Sequence, residues 1–552
     1  MTYLPYAIAF IVVIMVIIRI VGYRQLRGMS LRAGGASVVT PDEVPADIRG
    51  VLDGAGAALA EAGFISRGYA RWQSSDADDD RPVWSLLAEH PEQATWAILW
   101  PSPLPEPEAP LWTSFVTPLA GGGLLMSMDG ISGQMPGGLP GVTLCDHGTI
   151  DPLAAWRSHR GEVKLRRIGT PIADAAALIS GQNGILAERL PWLDRQRLVE
   201  RDRRDGRVRL TRRAAWSSLG GIQRANVARQ RAIAAQRKAD LARQKGRTVA
   251  QRSVPEAIEA DAVLRHRQSE QTRRLGGSPI LLFIISLAVF IAVSKFNYDG
   301  VQTIAVLVGV LLLLHEFGHF LAMRCFGYRD TEIFFLPFLG AAATGRKEDA
   351  TVVQQVVVSL MGPMPGIVLG LALLLGGQPV LGQATHQVAM MLIIINLFNL
   401  LPVLPFDGGQ IVSRTLFARQ PWLDFAFSVL AVAALIGMGW WFAPILLWLG
   451  LFFALGLIGQ RRTAGLRSRV LRDPLLVRLR GEEQIRALAA VVSQDPCCRH
   501  LPFAERLRLV QALGTTLERV PASLVLRLAL FVLYVIACLL APVVWAIWLA
   551  VP

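Results

Sequence analysis

Residues 311–320 read LLLLHEFGHF, which places three ionisable side chains in an apolar run of the kind that spans a membrane. On a helix, His315 and His319 project from one face, one turn apart. Two neutral imidazoles at this spacing can bind one zinc ion, and Glu316 beside them can act on a water held there. An idle ionisable residue in hydrocarbon is destabilising by about 2–3 kcal/mol or more. The pattern therefore favours a metal site over two core histidines.

The rest of the chain also has the composition of a membrane protein. Of its 552 residues, 52% are hydrophobic, and the mean hydropathy is +0.40. Basic residues cluster in every second segment between the apolar runs, and such segments usually lie on the cytoplasmic side of a membrane. This pattern predicts that the 302–323 and 387–404 spans both have their carboxyl ends on the cytoplasmic side. Apolar runs predict about eight spans, at about 4–22, 279–294, 302–323, 353–376, 387–404, 422–440, 442–459 and 524–551.

The positive charge is concentrated in residues 156–275, which hold 28 of the 56 Lys and Arg but only 12 acidic residues. Such a segment can touch nucleic acid, lie on anionic lipid, or mark the cytoplasmic side of a membrane protein. Nucleic acid is disfavoured because aromatic residues do not alternate with the arginines. The five cysteines include no C-x-x-C pair, which argues against a disulfide framework and a thiolate zinc cluster.

Shifts in composition divide the chain into predicted domains. Short strand-like runs such as PVWSLLAE (82–89) and ATWAILW (94–100), separated by turn residues, predict a small α+β domain after the first span. The predicted domains are an N-terminal membrane anchor (1–23), a cytoplasmic α+β domain (24–221), a basic polar linker helix (222–278), a membrane core that contains the 311–320 stretch (279–420), two further spans (421–460), a basic cytoplasmic helical segment (461–523) and a C-terminal span (524–552).

A catalytic zinc usually has a third protein ligand, and Asp407 is the candidate. It lies in NLLPVLPFDGGQ (399–410), at the inner end of the 387–404 span and on the same predicted side as His319. The prolines of this stretch break the helix, and Gly408 and Gly409 let the backbone turn. Irregular backbone at membrane depth is tolerated where it lines a cavity. The alternative, an interfacial aspartate at a helix end, stays open.

Together these residues resemble the site-2 protease family of intramembrane zinc metalloproteases. The matching strings are HEFGH (315–319), MGPMPG (361–366) and NLLPVLPFDGG (399–409), and the resemblance covers about 279–420. It implies a Zn²⁺ cofactor and a role for each matching residue: His315, His319 and Asp407 as metal ligands, Glu316 as general base, Asn399 as a donor to the substrate backbone or oxyanion, and Gly362 and Pro363 as close-packing positions.

The stretch EIFFLPFLGAAATG (332–345) is apolar, rich in β-forming residues and too short to span as a helix. It predicts a membrane-embedded β-hairpin, a feature that the family resemblance also suggests. A free strand edge there can pair with an unwound substrate helix by β-addition. A re-entrant loop that only fills space is the alternative. The chain contains no run that identifies a PDZ or CBS domain.

The predicted fold is thus a polytopic α-helical membrane protein with a membrane-embedded β-hairpin and a cytoplasmic α+β domain. The expected function is that of an intramembrane zinc metalloendopeptidase that cleaves transmembrane segments of membrane-anchored proteins, for regulated proteolysis or for clearance of signal and anchor remnants. Its expected partners are a transmembrane protein substrate, the lipid bilayer and a cytoplasmic protein bound by the N-terminal domain.

The expected location is a bacterial inner membrane, with the active site toward the cytoplasm.

Two other functions remain alternatives. A non-catalytic membrane scaffold that binds a partner has no need of Glu316, and a metal carrier would need further His or Asp runs along its spans.

Overall fold

The computed structural model of the chain describes residues 15, 19–128, 137–202, 206–243, 253–272, 313–336, 340–347, 349–376, 384–404, 406–417, 419–441, 444–518 and 522–550. The predicted span at 279–294 and the first part of the predicted 302–323 span, up to residue 312, lie outside these residues, as does most of the first predicted span at 4–22.

The amino-terminal half combines strands and helices. In chain order they are β1 (Gly35–Val39), α1 (Ala46–Ala60), β2 (Ile65–Gln73), β3 (Pro82–His90), β4 (Thr95–Glu106), β5 (Ala109–Pro118), β6 (Leu124–Met128), β7 (Val142–Asp146), α2 (Pro152–Lys164), α3 (Ala175–Arg195), β8 (Val199–Arg201), β9 (Val208–Leu210), α4 (Arg212–Arg243) and α5 (Glu256–Thr272).

The described residues of the carboxyl-terminal half form helices and one hairpin. Its elements are α6 (Leu313–Cys325), β10 (Arg329–Leu336), β11 (Gly340–Arg346), α7 (Val352–Met361), α8 (Pro363–Leu375), α9 (Ala384–Asn399), α10 (Asp407–Thr415), α11 (Pro421–Trp441), α12 (Pro444–Arg472), α13 (Pro474–Arg478), α14 (Gly481–Gln494), α15 (Phe503–Glu518) and α16 (Leu524–Ala550).

These elements form two compact units. The helical unit comprises Met1–Ile17, Ser278–Leu479 and Gln511–Pro552, and the sheet unit comprises Ile18–Gly277 and Arg480–Val510. Residues 480–510, which the sequence predicts to be part of a separate basic segment, thus group with the amino-terminal domain.

The sheet unit is built on seven strands in the order β1-β2-β3-β4-β5-β6-β7. Neighbours are antiparallel except for β6 and β7, which run parallel. The predicted strand run at 82–89 falls within β3, and the run at 94–100 lies in β4 from Thr95 onward; the inner residues of both strands are buried. Four consecutive residues of β3 and five of β4 are buried, so both faces of these strands are covered there, because successive side chains point to opposite faces. A domain containing a β-sheet, as predicted for the amino-terminal part, is confirmed.

The helical unit contains three described helices that are long and apolar enough to cross a membrane. They are Val352–Leu375, which comprises α7 and α8, Pro421–Trp441, which is α11, and Leu524–Val544, which lies in α16. These helices lie at the predicted spans 353–376, 422–440 and 524–551. A shorter apolar helix, Thr385–Asn399, lies at the predicted 387–404 span. The total of about eight spans stays a prediction.

The final helix, α16, belongs to the core of the helical unit. Buried side chains of α7, α8, α9, α10 and α16 form one hydrophobic cluster, and among them Val356, Ile367 and Ile411 have no exposed surface. Tyr534, on α16, is 5% exposed and lies in the same cluster. The C-terminal span, which the sequence predicts as a separate segment, thus packs against the helices that carry MGPMPG and Asp407.

A buried ion pair ties residues 480–510 into the sheet unit. Arg506 and Glu259 have no exposed surface. The Arg506 Nε and Nη2 atoms each donate to a Glu259 carboxylate oxygen at 2.9 Å, and Nη2 also donates to the Pro105 carbonyl at 2.7 Å. Glu106 accepts from the Phe503 backbone N–H at 3.1 Å. A buried charge needs such partners, because removal of one leaves the other uncompensated.

We predict that Arg506→Ala lowers the free energy of unfolding of the sheet unit by about 3–5 kcal/mol, since it leaves the Glu259 carboxylate buried and unpaired. Hydrogen–deuterium exchange of the β4 amides in the full chain measures the change. Arg508→Ala, at an exposed position of the same helix, is the matched control and should shift stability by less than about 0.5 kcal/mol. Equal exchange rates in the two variants would contradict the assignment of Arg506 as a structural tie.

Candidate metal centre

The two histidines of α6 are held in a defined orientation by their Nδ1 atoms. His319 Nδ1 lies 2.7 Å from the Val358 carbonyl oxygen, which can only accept, so Nδ1 carries the proton and donates it. His315 Nδ1 lies 2.8 Å from Asn396 Oδ1. The Asn396 amide nitrogen donates to the Leu392 carbonyl at 2.7 Å, which identifies Oδ1 as the acceptor for His315. Both Nε2 atoms therefore present lone pairs.

Asp407 completes a triangle of ligand atoms. It is the first residue of α10 and is 8% exposed. Its Oδ2 atom lies 3.3 Å from each of the two histidine Nε2 atoms, which are themselves 3.2 Å apart. None of these three atoms carries a hydrogen in the tautomers described, so three acceptors face one another.

This donor set fits a zinc ion. Zinc with N and O ligands at about 2.0–2.1 Å in tetrahedral geometry has ligand atoms about 3.3 Å apart, which matches the observed 3.2–3.3 Å. Neutral imidazole and carboxylate suit zinc chemically, and hydrogen bonds to the outer ring nitrogens are the usual means of orienting metal-bound histidines. Within the described residues, His315, His319 and Asp407 form the group of His, Cys, Asp or Glu side chains that can hold a metal.

Glu316 lies beside this triangle and is fixed by the hairpin. It is 7% exposed, and its carboxylate accepts a hydrogen bond from the Ala343 backbone N–H of β11. Its charge interacts with His315, His319 and Asp407. The β10–β11 hairpin pairs from Arg329 opposite Arg346 to Leu336 opposite Gly340. One strand of this hairpin thus helps to position the predicted general base.

Glycines allow the helices around the triangle to approach closely. A Cβ atom at Gly362, where α7 meets α8, would lie 2.2 Å from His319 Nε2. A Cβ at Gly318 would lie 1.8 Å from the Met361 carbonyl oxygen, and one at Gly366 would lie 2.1 Å from the Asn396 amide nitrogen. Real Cβ atoms do not approach other atoms this closely, so each position requires glycine. Gly362 is the close-packing position that the sequence predicts.

The loop that precedes Asp407 is packed against both α16 and the first turn of α10. The Tyr534 hydroxyl of α16 donates to the Leu400 carbonyl at 2.7 Å. A Cβ atom at Gly408 would lie 2.0 Å from that same carbonyl oxygen. Leu400 therefore connects the final helix to the first turn of α10, directly beside Asp407.

Sequence analysis missed Asn396 and Tyr534, although weak signals were present. Asn396 is a lone amide in the apolar run IIIN (393–396), and Tyr534 is the single phenol of the last span. Polar groups in such runs need hydrogen-bond partners. Both residues are therefore candidates for positioning the metal ligands. Asn399, which the sequence predicts as substrate-binding, is the last residue of α9 and donates to the Ile395 carbonyl of its own helix at 3.1 Å.

Known proteins match the part of the chain that contains HEFGH. The model of peptidase family M50 matches residues 303–387, which include HEFGH but not Asp407. A zinc metalloprotease of Methanocaldococcus jannaschii is 28% identical over 27% of the chain and 46% of its own length. The stage IV sporulation protein FB of Bacillus subtilis is 31% identical over 20% of the chain and 39% of its own length. The chain thus spans less than half the length of these relatives.

The resemblance to the site-2 protease family that the motifs predict is confirmed for this segment. Zinc, the predicted cofactor, agrees with the name of the Methanocaldococcus jannaschii relative, a zinc metalloprotease, and with the donor set of the site. The helices with the length and apolarity of membrane spans agree with a membrane protein of this family.

We predict that Gly362→Ala lowers zinc affinity by about 10–100-fold, the usual cost of disturbing the support of a metal ligand. The new methyl group would occupy the space of the His319 ring and displace its Nε2 atom. Zinc titration monitored by elemental analysis measures the affinity, and circular dichroism monitors helix content. Gly437→Ala, where a Cβ meets no atom within 4 Å, is the matched control and should retain zinc. If Gly362→Ala bound zinc as tightly as the parent, the close approach would be unimportant to the site.

Proposed function

We propose that this protein is an intramembrane zinc metalloendopeptidase that cleaves transmembrane segments of membrane-anchored proteins. One observation carries the proposal: two histidine nitrogens and the Asp407 oxygen converge at 3.2–3.3 Å, with the buried carboxylate of Glu316 beside them. A site that only bound metal, or a scaffold, would not need a fixed carboxylate next to the ligands. A hydrolase does.

The proposed roles of the residues follow from their chemistry. His315, His319 and Asp407 hold the zinc ion, which when bound supplies Lewis-acid polarisation of the scissile carbonyl and lowers the pKa of water from 15.7 toward about 7. Glu316 takes a proton from the attacking water on its free carboxylate oxygen and delivers it to the leaving amine. The Ala343 N–H stabilises the charged form of that carboxylate.

The proposed role of Asn399 is to donate a hydrogen bond to the substrate backbone or the oxyanion. Its amide occupies the Ile395 carbonyl through one hydrogen, so a second N–H remains for this purpose. Donors aimed at developing negative charge are among the strongest contributors to catalysis.

The β10–β11 hairpin is proposed to lie within the membrane and to present an edge to the substrate. A transmembrane helix must be unwound before its peptide bonds are accessible, and pairing with a strand edge satisfies the backbone groups so released. Because β11 also holds Glu316, substrate pairing and the general base would share one element.

The proposed setting is a bacterial inner membrane, spanned about eight times, with the site toward the cytoplasm. The predicted cytoplasmic α+β domain and basic segments lie on that side and are proposed to bind a cytoplasmic protein. Cleavage there would release a membrane-tethered regulator or clear a signal or anchor remnant.

The test is cleavage of a tagged single-span substrate by the purified protein, with zinc content measured on the same samples. Glu316→Gln should retain zinc and lose about 10²–10⁴-fold in cleavage rate, because it removes the proton acceptor alone. Asp407→Ala should lower both zinc content and cleavage. Glu505→Gln, which removes an exposed carboxylate in the sheet unit, is the control and should leave both unchanged.

Cleavage by Glu316→Gln at the parental rate would rule out the protease mechanism. Zinc binding without cleavage of any single-span substrate by the parent would instead favour the scaffold function.

A further inference from the structure

A cavity of about 230 Å³ lies in the helical unit, apart from the metal triangle. Its walls come from α10, α12 and α15, together with Leu404 of the loop before α10. Two arginines, one glutamine and four hydroxyl side chains line it, and none of the described lining residues is acidic. At about 30 Å³ per water, the space equals roughly eight waters, which suits a small polar headgroup rather than a drug-sized molecule.

Arg467 supplies a cation whose hydrogen bonds are incomplete. Its nearest described carboxylate oxygen, on Asp424, is 3.8 Å from Nη1, which is an ion-pair distance but too long for a good hydrogen bond. Its Nε–H is buried and has no hydrogen-bond acceptor among the described residues. A buried donor without an acceptor is destabilising by about 1–3 kcal/mol. A guanidinium with an unsatisfied N–H at a cavity wall is suited to bind an anionic ligand.

Arg414 supplies a second cation, which is already oriented. Its Nη1 donates to Ser359 Oγ and its Nη2 to Gln410 Oε1, both at 2.9 Å. These bonds fix the plane of the guanidinium at the cavity wall, so little side-chain entropy is lost when a ligand binds. Two arginines without an acidic lining residue favour phosphate, which arginine recognises through paired N–H groups.

The hydroxyl groups indicate what the rest of the ligand carries. Thr463 and Thr515 donate their hydroxyl hydrogens to the Gly459 and Ala512 carbonyls of their own helices, each at 3.0 Å. Their oxygen atoms therefore present lone pairs, and a ligand that meets them must itself donate. A phosphate ester that also bears free hydroxyl groups meets both requirements.

The sequence around the cavity matches the level of lipid headgroups. The apolar part of α12 ends before Gln460, Arg461 and Arg462, and Thr463 and Arg467 follow within two turns. The apolar run of α16 begins at Leu524, shortly after Thr515 and Thr516. In both helical segments, the residues that line the cavity lie next to the point where the sequence changes between apolar and polar. This position is expected for residues at the level of the lipid headgroups.

We propose that this cavity is a binding site for a hydroxyl-bearing phosphate ester of the glycerophosphate type, held by Arg414 and Arg467. The phosphate can come from an anionic lipid headgroup or from a soluble glycerol phosphate. Because α10 supplies both Arg414 and Asp407, the ligand would contact the helix that carries the third predicted metal ligand. The binding site itself does not depend on the protease proposal.

The test uses the full chain in detergent and in lipid nanodiscs. Native mass spectrometry measures retention of phosphatidylglycerol against phosphatidylcholine, and calorimetry measures binding of glycerol 3-phosphate. The parent should retain phosphatidylglycerol selectively or bind glycerol 3-phosphate. Arg467→Gln should weaken binding by about tenfold or more, the effect of one hydrogen bond to a charged group. Arg462→Gln, which removes an exposed charge from the same helix, should bind as the parent does.

A second variant separates the cavity from the charge. Ala512→Leu fills the cavity and leaves both arginines in place, so it should abolish binding while circular dichroism and zinc content stay at parental values. Selective retention of phosphatidylglycerol without binding of glycerol 3-phosphate would identify the lipid headgroup as the source of the bound phosphate. Binding of both probes would show that the site recognises the glycerophosphate group, whether or not it is part of a lipid. Absence of binding to either probe, or equal loss in Arg462→Gln and Arg467→Gln, would overturn the proposal.

Discussion

Two imidazole nitrogens and one carboxylate oxygen face one another at 3.2–3.3 Å in the helical unit, each with a lone pair directed at the others. Acceptors this close repel, and a buried site screens the repulsion poorly. The imidazoles could relieve it by rotating, but Val358 and Asn396 hold their outer nitrogens. A cation bound at the centre would remove this repulsion, and much of the surrounding structure holds the three groups in place.

Close packing extends this constraint outward. The backbone of α7 reaches α6 only because Gly318 and Gly362 have no side chains. The Asp407 loop reaches the histidines because Gly408 packs on the Leu400 carbonyl, which Tyr534 also binds. Since packed interiors deform little, a change at any of these contacts is transmitted to the ligand atoms. The last helix is thus part of the support of the site, although it lies outside the segment that matches the protease family.

Local patterns were sufficient to predict the elements of the site, because the i, i+4 histidines and the D-G-G turn are short-range features. Short strand-like runs separated by turn residues were likewise sufficient for β3 and β4. Contacts between distant residues were not predictable in the same way. Asn396 meets a histidine 81 positions away, and Arg506 meets Glu259 at a separation of 247. A single amide or arginine in a sequence does not identify its partner, so the place of residues 480–510 in the sheet unit emerged only from the fold.

Zinc K-edge X-ray absorption of the purified, zinc-loaded protein tests the ligand set most directly. Coordination by His315, His319 and Asp407 predicts a first shell of N and O atoms at about 2.0–2.1 Å, with outer-shell scattering from two imidazoles. Sulfur scattering at about 2.3 Å, or a first shell without imidazole, would contradict the assignment of this triangle as the zinc site.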